Sequence, residues 1–179
     1  MKTSMYNKAG LLLFALLLTA CTTPPKGIEP ISGFEIERYL GKWYEIARLD
    51  HSFERGLTRV TAEYSLRDDG GVNVINRGYD AKAGKWKEAN GKAYFVEAPD
   101  TGQLKVSFFG PFYGGYTIMK LDRQDYQYSL VSGPNRSYLW LLSRTPLLDQ
   151  AVVEKLVKLA ADNGFPTDEL IYVSHESLQ

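Results

Sequence analysis

The chain has 179 residues, 21 basic and 21 acidic side chains, and a single cysteine. Its balanced charge excludes the basic footprint of a nucleic-acid-binding surface, so no nucleic-acid partner is expected. One cysteine excludes an intramolecular disulfide, and the length fits one domain with a sizeable core.

The first 21 residues have the pattern of an export signal. Lys2 and Lys8 precede a leucine-rich run over 9–20 that ends in small residues, the order typical of a secretory signal peptide. At about 12 residues, the run is too short to span a bilayer core of about 30 Å as a helix. The sequence LTAC at 18–21 resembles the bacterial lipobox, which implies cleavage after residue 20 and acylation of Cys21. The alternative is an ordinary signal peptide that contains a cysteine.

Residues 21–33 are predicted to be the lipidated cysteine and a short extended tether, because Pro24 and Pro25 favour extended backbone. Thr22 stands where an aspartate would favour retention in the inner membrane. The lipobox resemblance therefore implies an anchor in the outer membrane, with the protein facing the periplasm. The folded domain is predicted over 34–179.

From residue 43 to 144 the chain shows short stretches of period-two alternation separated by turn residues. The clearest is the region 59–77, where Val60, Ala62 and Tyr64 fall on one face. The DDGG turn at 68–71 predicts a hairpin, since glycine supplies the positive φ of tight turns. Further strands are predicted at 43–49, 92–98, 104–109, 116–122, 126–132 and 138–143, which makes eight in all.

Eight closely spaced antiparallel strands predict a sandwich or a closed barrel. Their strictly sequential order favours an eight-stranded up-and-down β-barrel in an all-β fold with one C-terminal helix. That helix is predicted over 149–163 from its apolar spacing, with Asp149 as N-cap. It would cover the outer face of the last barrel strand, where Leu139 and Leu141 lie. A short final strand is predicted at 170–174.

The interior of such a barrel is filled by side chains or holds one small ligand. The residues predicted to face inward mix small and aromatic side chains, and no carboxylate or lysine is expected among them. Such a cavity suits a long apolar ligand whose polar end meets tyrosine hydroxyls. The candidate cavity residues are Val60, Ala62, Tyr64, Val74, Val106, Phe108, Tyr116, Ile118, Tyr138 and Trp140, with Val72, Leu104 and Leu142 on the same face. The alternative is a solid core.

Three motifs in order at predicted strand ends resemble those of the lipocalin family. Gly41 and Trp43 match its Gly-x-Trp motif, and Arg144 matches the arginine after the eighth strand. Asp122 resembles the second motif, although a longer DRQDY replaces the usual Thr-Asp-Tyr. The resemblance covers 34–175 and, with the lipobox, is closest to the bacterial outer-membrane lipoprotein lipocalins. It implies structural roles for these four residues, with the Arg144 guanidinium on the Trp43 indole.

The resemblance implies that the protein binds, stores or transports hydrophobic lipids such as fatty acids and lysophospholipids, without a cofactor. Two alternatives remain open. One is a structural or partner-binding envelope lipoprotein with a filled core, and the other is a lipocalin that carries a pigment or haem. A homodimer is possible in either case.

Catalysis is not expected. Asp50, His51 and Ser52 are sequence neighbours, and neighbours in extended chain point to opposite faces, so they do not form a triad. The chain has no Gly-x-Ser-x-Gly elbow, and His51 and His175 have no metal-ligand spacing. His51 is interpreted as a loop residue near the barrel mouth.

The segment SFFGPFYGGY at 107–116 is predicted to be an aromatic hairpin loop. Its aromatic side chains either pack over the barrel rim or form an apolar lip. Such a lip would contact a membrane, a partner chain or an incoming acyl chain, and it would also serve as a homodimer contact.

Overall fold

The computed structural model describes residues 22–176, which form a closed eight-stranded antiparallel barrel with one long helix, so the predicted fold class is confirmed. The strands are β1 Gly41–Arg48, β2 Leu57–Leu66, β3 Val72–Asp80, β4 Lys85–Phe95, β5 Gln103–Phe109, β6 Phe112–Leu121, β7 Tyr128–Ser132 and β8 Leu139–Ser143. A single-turn helix α1 (Ile36–Tyr39) precedes β1, and helix α2 (Gln150–Asp162) follows β8. A 3₁₀ turn (Thr167–Glu169) and a two-residue strand β9 (Ile171–Tyr172) end the domain.

Each strand pairs with the next, and β1 closes the barrel by pairing with both β8 and β2. Because the strands alternate in direction, the β1–β2, β3–β4, β5–β6 and β7–β8 turns lie at one end, called here the open end. The other three turns lie with α1 at the closed end, where Phe34, Tyr39 and Trp43 pack together.

The seam between β1 and β2 is only half paired. The two strands bond over Gly41–Tyr44, near the closed end. Towards the open end β9 pairs with β1 instead, at Ala47 and Arg48. The C-terminal segment bridges the remaining gap, since the Val173 N–H donates to the Ile46 carbonyl and the Arg59 N–H to the Ser174 carbonyl. Residues 171–174 therefore form part of the barrel wall.

Apolar side chains form two clusters, one on each side of the sheet. The interior cluster fills the barrel around Trp43, Tyr64, Val74, Leu104, Ile118 and Leu142. The helix-side cluster packs α2 against the outer wall and contains Leu139, Leu141, Val153, Leu156 and Ala160. The helix therefore covers the face of β8 that carries Leu139 and Leu141, as predicted. The Asp149 carboxylate caps α2 by accepting from the Ala151 and Val152 N–H groups.

Two hairpins differ most from the sequence prediction. β4 begins at Lys85, seven residues before the predicted start, because the β3–β4 hairpin extends beyond the barrel and its first residues are exposed on both faces. Exposure on both faces removes the alternation that identifies a strand. The segment 107–116 is not a loop, since β5 and β6 run almost to the tip and only Gly110 and Pro111 form the turn.

The predicted tether is packed on the barrel from the first described residue. The Gln103 side chain donates to the Thr22 carbonyl, and Arg136 donates to the Lys26 carbonyl. Pro25 and Ile28 are buried, and the Ile28 N–H bonds to the Pro25 carbonyl. Cys21 and the predicted signal peptide lie outside the described residues. Within 22–176, no helix is long and apolar enough to cross a bilayer.

Candidate functional site

A small cavity lies above the closed end of the barrel. The interior cluster leaves a free space of about 10 Å³ there, which is about the room that one water molecule needs. It is lined by Phe34, Ile36, Tyr39, Tyr64, Val72, Ala93, Leu104, Val106 and Tyr116. An acyl chain therefore cannot occupy this space as it stands and would have to lie above it, towards the open end.

Three tyrosines link their hydroxyls across the bottom of the cavity. The Tyr116 hydroxyl lies 2.8 Å from that of Tyr39 and 3.0 Å from that of Tyr64, and Tyr39 donates to the Ser129 hydroxyl. Burial raises the pKa of Tyr39 to about 12 and those of Tyr64 and Tyr116 well above their ordinary value. The hydroxyls are therefore neutral at any physiological pH, and they form a polar but uncharged floor.

The interior above this floor is open. Gly114 is paired with Val106, whose side chain packs against the interior cluster, so a side chain on Gly114 would point into the barrel. No atom lies within 4 Å of the position that its Cβ would take. Val106, Phe108, Tyr116 and Trp140 are only half-buried although they pack on the interior cluster. The barrel is therefore a cup whose upper part is reached from the open end.

Two glycines on β3 and β4 leave room for large side chains of the adjacent strands. A Cβ on Gly91 would lie 2.8 Å from the Phe108 ring, and one on Gly78 would lie 2.9 Å from Leu57. Such distances are shorter than van der Waals contact, so both positions need glycine. These glycines bring Phe108 and Leu57 close to the backbone of the neighbouring strands.

A buried charged network occupies the wall near the open end, which corrects the expectation that no carboxylate faces inward. Glu45 pairs with Leu142 and Arg48 pairs with Trp140, and both partners pack in the interior. The Arg48 guanidinium donates to the Glu45 carboxylate at 2.6 Å and to the Glu54 carbonyl at 3.0 Å. A β-bulge between Glu45 and Ala47 turns Arg48 inward.

The same network holds the β1–β2 loop over the barrel. The Trp140 indole N–H donates to the Glu54 carboxylate at 3.2 Å, and His51 Nε2 lies 3.1 Å from that carboxylate. The His51 ring stacks on Phe53 at 4.0 Å and packs beside Tyr138. His51 is thus in a loop near the mouth, but it is buried rather than solvated.

Burial affects the two carboxyl groups of the network differently. Burial and then the Glu54 charge raise the pKa of Glu45 well above its ordinary value, against the opposing effect of Arg48. Burial also raises the pKa of Glu54, but the hydrogen bond and charge of His51, the hydrogen bond from Trp140 and the charge of Arg48 outweigh it, so that pKa lies below its ordinary value.

Most of the candidate cavity residues meet in the interior. Ala62, Tyr64, Val74, Val106, Phe108, Tyr116, Ile118 and Trp140 belong to the interior cluster or pack against it, as do Val72, Leu104 and Leu142. Val60 is buried beside Gly78, outside that cluster. Tyr138 lies one residue before β8 and stacks on Trp140 and His51 at the open end.

Sequence reasoning missed several residues of the site. Tyr39 and Ile36 enter the cavity from α1, which the strand pattern does not cover. The sequence pattern also does not predict the buried charged residues of the wall, Glu45, Arg48 and Glu54. One signal was available for Glu45, because it stands two residues after Trp43 and period-two alternation places both on one face.

The four motif residues meet at the closed end. The Arg144 guanidinium lies 4.0 Å from the Trp43 ring and donates to the Lys42 and Arg38 carbonyls. Gly41 has φ +87, and its missing side chain leaves space beside Arg144. The Asp122 carboxylate accepts from the Gln124 and Gln127 N–H groups and organises the β6–β7 turn. These residues stabilise the barrel and do not line its cavity.

The histidine and carboxylate side chains of the described residues form no metal-binding cluster. Among residues 22–176, no three histidine, cysteine, aspartate or glutamate side chains lie close enough together to hold a metal ion. Asp50 points to solvent and pairs with Arg55 at 2.7 Å, away from the buried His51. Asp50 and His51 thus contact different partners, since the His51 ring lies beside the Glu54 carboxylate.

Comparisons with known proteins agree with this architecture. Residues 34–175 match the family described as "Lipocalin-like domain". The chain is 56% identical to "Outer membrane lipoprotein Blc" of Vibrio cholerae over 166 residues, which cover 93% of this chain and 97% of that protein. It is 34% identical to "Temperature-induced lipocalin-1" of Arabidopsis thaliana over 83% of each chain. Insecticyanin of the tobacco hornworm has the same fold, with a TM-score of 0.68 at 20% identity over 88% of each chain. The chain therefore belongs to the lipocalin family.

Proposed function

We propose that this protein binds the acyl chain of a fatty acid or lysophospholipid in the upper barrel and stores or carries it. In this proposal acylated Cys21 anchors the protein to the outer membrane, and the barrel faces the periplasm. The observation that carries the proposal is the open interior space beside Gly114, in a wall lined by Val106 and Phe108. The name that relatives share, outer membrane lipoprotein, supports the anchor.

The chemistry of the cup fits an amphiphile. Burying a methylene contributes about 0.8 kcal/mol, so a chain of about 16 carbons gains up to about 12 kcal/mol before association and ordering costs are subtracted. A dissociation constant between about 1 nM and 1 µM is expected. The polar end of the lipid would stay at the open end, where it remains in contact with water.

The proposal predicts that Gly114→Leu abolishes or strongly weakens lipid binding without destabilising the fold. The new side chain enters open space, so it meets no clash but takes the room of the acyl chain. The measurement is a titration of residues 22–179 with palmitate and with a lysophospholipid, followed by tryptophan fluorescence and native mass spectrometry. We expect saturable one-to-one binding for the wild type and at least a tenfold weaker affinity for Gly114→Leu, equivalent to about 1.4 kcal/mol.

Lys92→Leu is the matched control, because the strand alternation that turns Ala93 inward turns Lys92 outward. It should bind like the wild type. Equal affinity in Gly114→Leu and Lys92→Leu would place the lipid outside the barrel. No binding of either lipid by the wild type would favour the filled-core alternative, and visible absorbance of the purified protein would favour a pigment or haem carrier.

A further inference from the structure

Three of the five most exposed aromatic side chains lie on two neighbouring turns at the open end. Phe109 and Phe112, at the β5–β6 tip, are 80% and 74% exposed, and Trp86, at the β3–β4 turn, is 56% exposed. The other two are elsewhere: Phe53 is in the β1–β2 loop across the mouth, and Tyr172 is on β9 in the barrel wall. At the closed end, the large exposed apolar side chains are the aliphatic ones of Leu66, Val96 and Leu147. The aromatic rim, as we call Trp86, Phe109 and Phe112, therefore belongs to the β4–β6 side of the mouth.

An exposed aromatic rim beside a cavity mouth is a candidate contact surface, since exposed apolar patches mark contact sites. The indole of Trp86, with its polar N–H, is of the kind favoured at membrane–water interfaces, and phenylalanine is typical of the apolar face of segments that lie in such an interface. Lysines lie beside the rim, and their positive charge is attracted to anionic lipid headgroups. Lys87 pairs with Asp80 at 2.8 Å, whereas Lys82 and Lys85 on the same hairpin make no ion pair with any residue in 22–176.

The position of Thr22 indicates which surface would cover the rim. Thr22 is held against Gln103, the first residue of β5, and Phe109 is the last residue of that strand. At about 3.3 Å per residue, Gln103 and Phe109 lie roughly 20 Å apart along β5. Because the predicted tether is packed, an acyl anchor at Cys21 brings the β5 wall against the bilayer. An upright barrel with its mouth down would lift that anchor out of reach.

We propose that the aromatic rim inserts into the surface of a lipid bilayer, so that the barrel lies on its β5 side with its mouth open to the membrane. The proposal rests on the proposed function for its anchor, and it adds a docking surface and an orientation. In this pose a lipid passes between bilayer and cup without crossing bulk water.

Trp86 makes the proposal measurable. Trp43 is fully buried and Trp140 lies inside the cup, so Trp86 is the tryptophan of the rim. The full acylated chain is reconstituted into vesicles of phosphatidylcholine and phosphatidylglycerol that carry bromine, a quencher of tryptophan, on their acyl chains. We expect brominated vesicles to quench the wild type more than Trp86→Phe, and the difference is the quenching of Trp86. A brominated chain inside the cup quenches Trp140 in both proteins and so cancels.

Two matched double variants decide the result. Phe109→Ser with Phe112→Ser should reduce the Trp86 quenching to background, while Leu66→Ser with Leu147→Ser, which are exposed at the closed end, should leave it unchanged. All four side chains are at least half exposed, and circular dichroism melting checks that the variants fold.

Equal Trp86 quenching in the two double variants, or none in the wild type, would overturn the docking surface. The mass of the purified chain reports acylation of Cys21 separately, and the quenching that persists in Trp86→Phe reports lipid in the cup. Failure of the anchor or of ligand binding is therefore distinguishable from failure of the docking surface.

Discussion

Replacing Trp43 with alanine is expected to lower the free energy of unfolding by about 3–5 kcal/mol, the usual cost of deleting a fully buried large aromatic side chain. Trp43 is completely buried, packs on Tyr39 at 4.6 Å and donates its indole N–H to the Tyr39 carbonyl at 2.8 Å. Its loss also removes the ring under the Arg144 guanidinium. The closed end would then lose both the buried Trp43 ring and the surface on which Arg144 packs.

The measurement is urea unfolding followed by far-UV circular dichroism. Trp86→Ala is the matched control, since the same atoms are removed from an exposed site, and it should change stability by no more than about 0.5 kcal/mol. Trp43→Phe, which keeps a ring but loses the N–H donor, should fall between the two. A Trp43→Ala protein as stable as Trp86→Ala would show that the closed end does not hold the barrel together.

Replacing Arg48 with methionine is expected to destabilise the protein by about 3–5 kcal/mol at neutral pH, because it leaves the Glu45 carboxylate buried without its cation. Glu45 and Arg48 are both almost completely buried, and their closest atoms are 2.6 Å apart. Arg48 also satisfies the Glu54 and Leu57 carbonyls. The double variant Glu45→Met with Arg48→Met should recover most of the loss, since an apolar pair replaces the ion pair.

The deficit of Arg48→Met should shrink in acid. The pKa of Glu45 is raised in the folded state, so its favourable contribution is present below the ordinary pKa of a glutamate and is lost as the pH rises towards the folded value. Urea unfolding of wild type and variant at pH 4.5 and pH 7.5 measures this, and about 4.5 is where an ordinary glutamate titrates. The control is Arg55→Met, whose pair with Asp50 is exposed and should contribute nothing measurable. A deficit that is the same at both pH values would contradict the role of Glu45.

Much of the barrel is readable from the sequence because its strands have one buried and one solvated face. Alternation identifies β2 and β3, and helical spacing identifies α2 with its Asp149 cap. The first half of β4 was missed since the hairpin stands clear of the barrel and has no buried face. The packing of Thr22 on Gln103 is a tertiary contact, and the proline-rich composition of the segment indicates only extended backbone.

The site is less readable than the fold because it depends on local irregularity. Arg48 faces inward only through the bulge after Glu45, and no residue pattern marks that bulge. The linked tyrosine hydroxyls come from α1, β2 and β6, so their meeting requires the closed barrel. The inward orientation of Val106, Phe108 and Tyr116 is predictable because the three follow simple alternation along β5 and β6.

The half-paired seam between β1 and β2 makes the upper wall depend on residues more than 120 positions further along the chain than β1. β1 to β8 all exist before residues 171–174 are synthesised, yet these last residues supply the bonds to Ile46 and Arg59 that join the two strands towards the open end. The upper wall therefore stays unjoined until residues 171–174 are available to pack beside β1. A chain that is threaded unfolded through a translocation pore would complete this wall only after its last residues have passed.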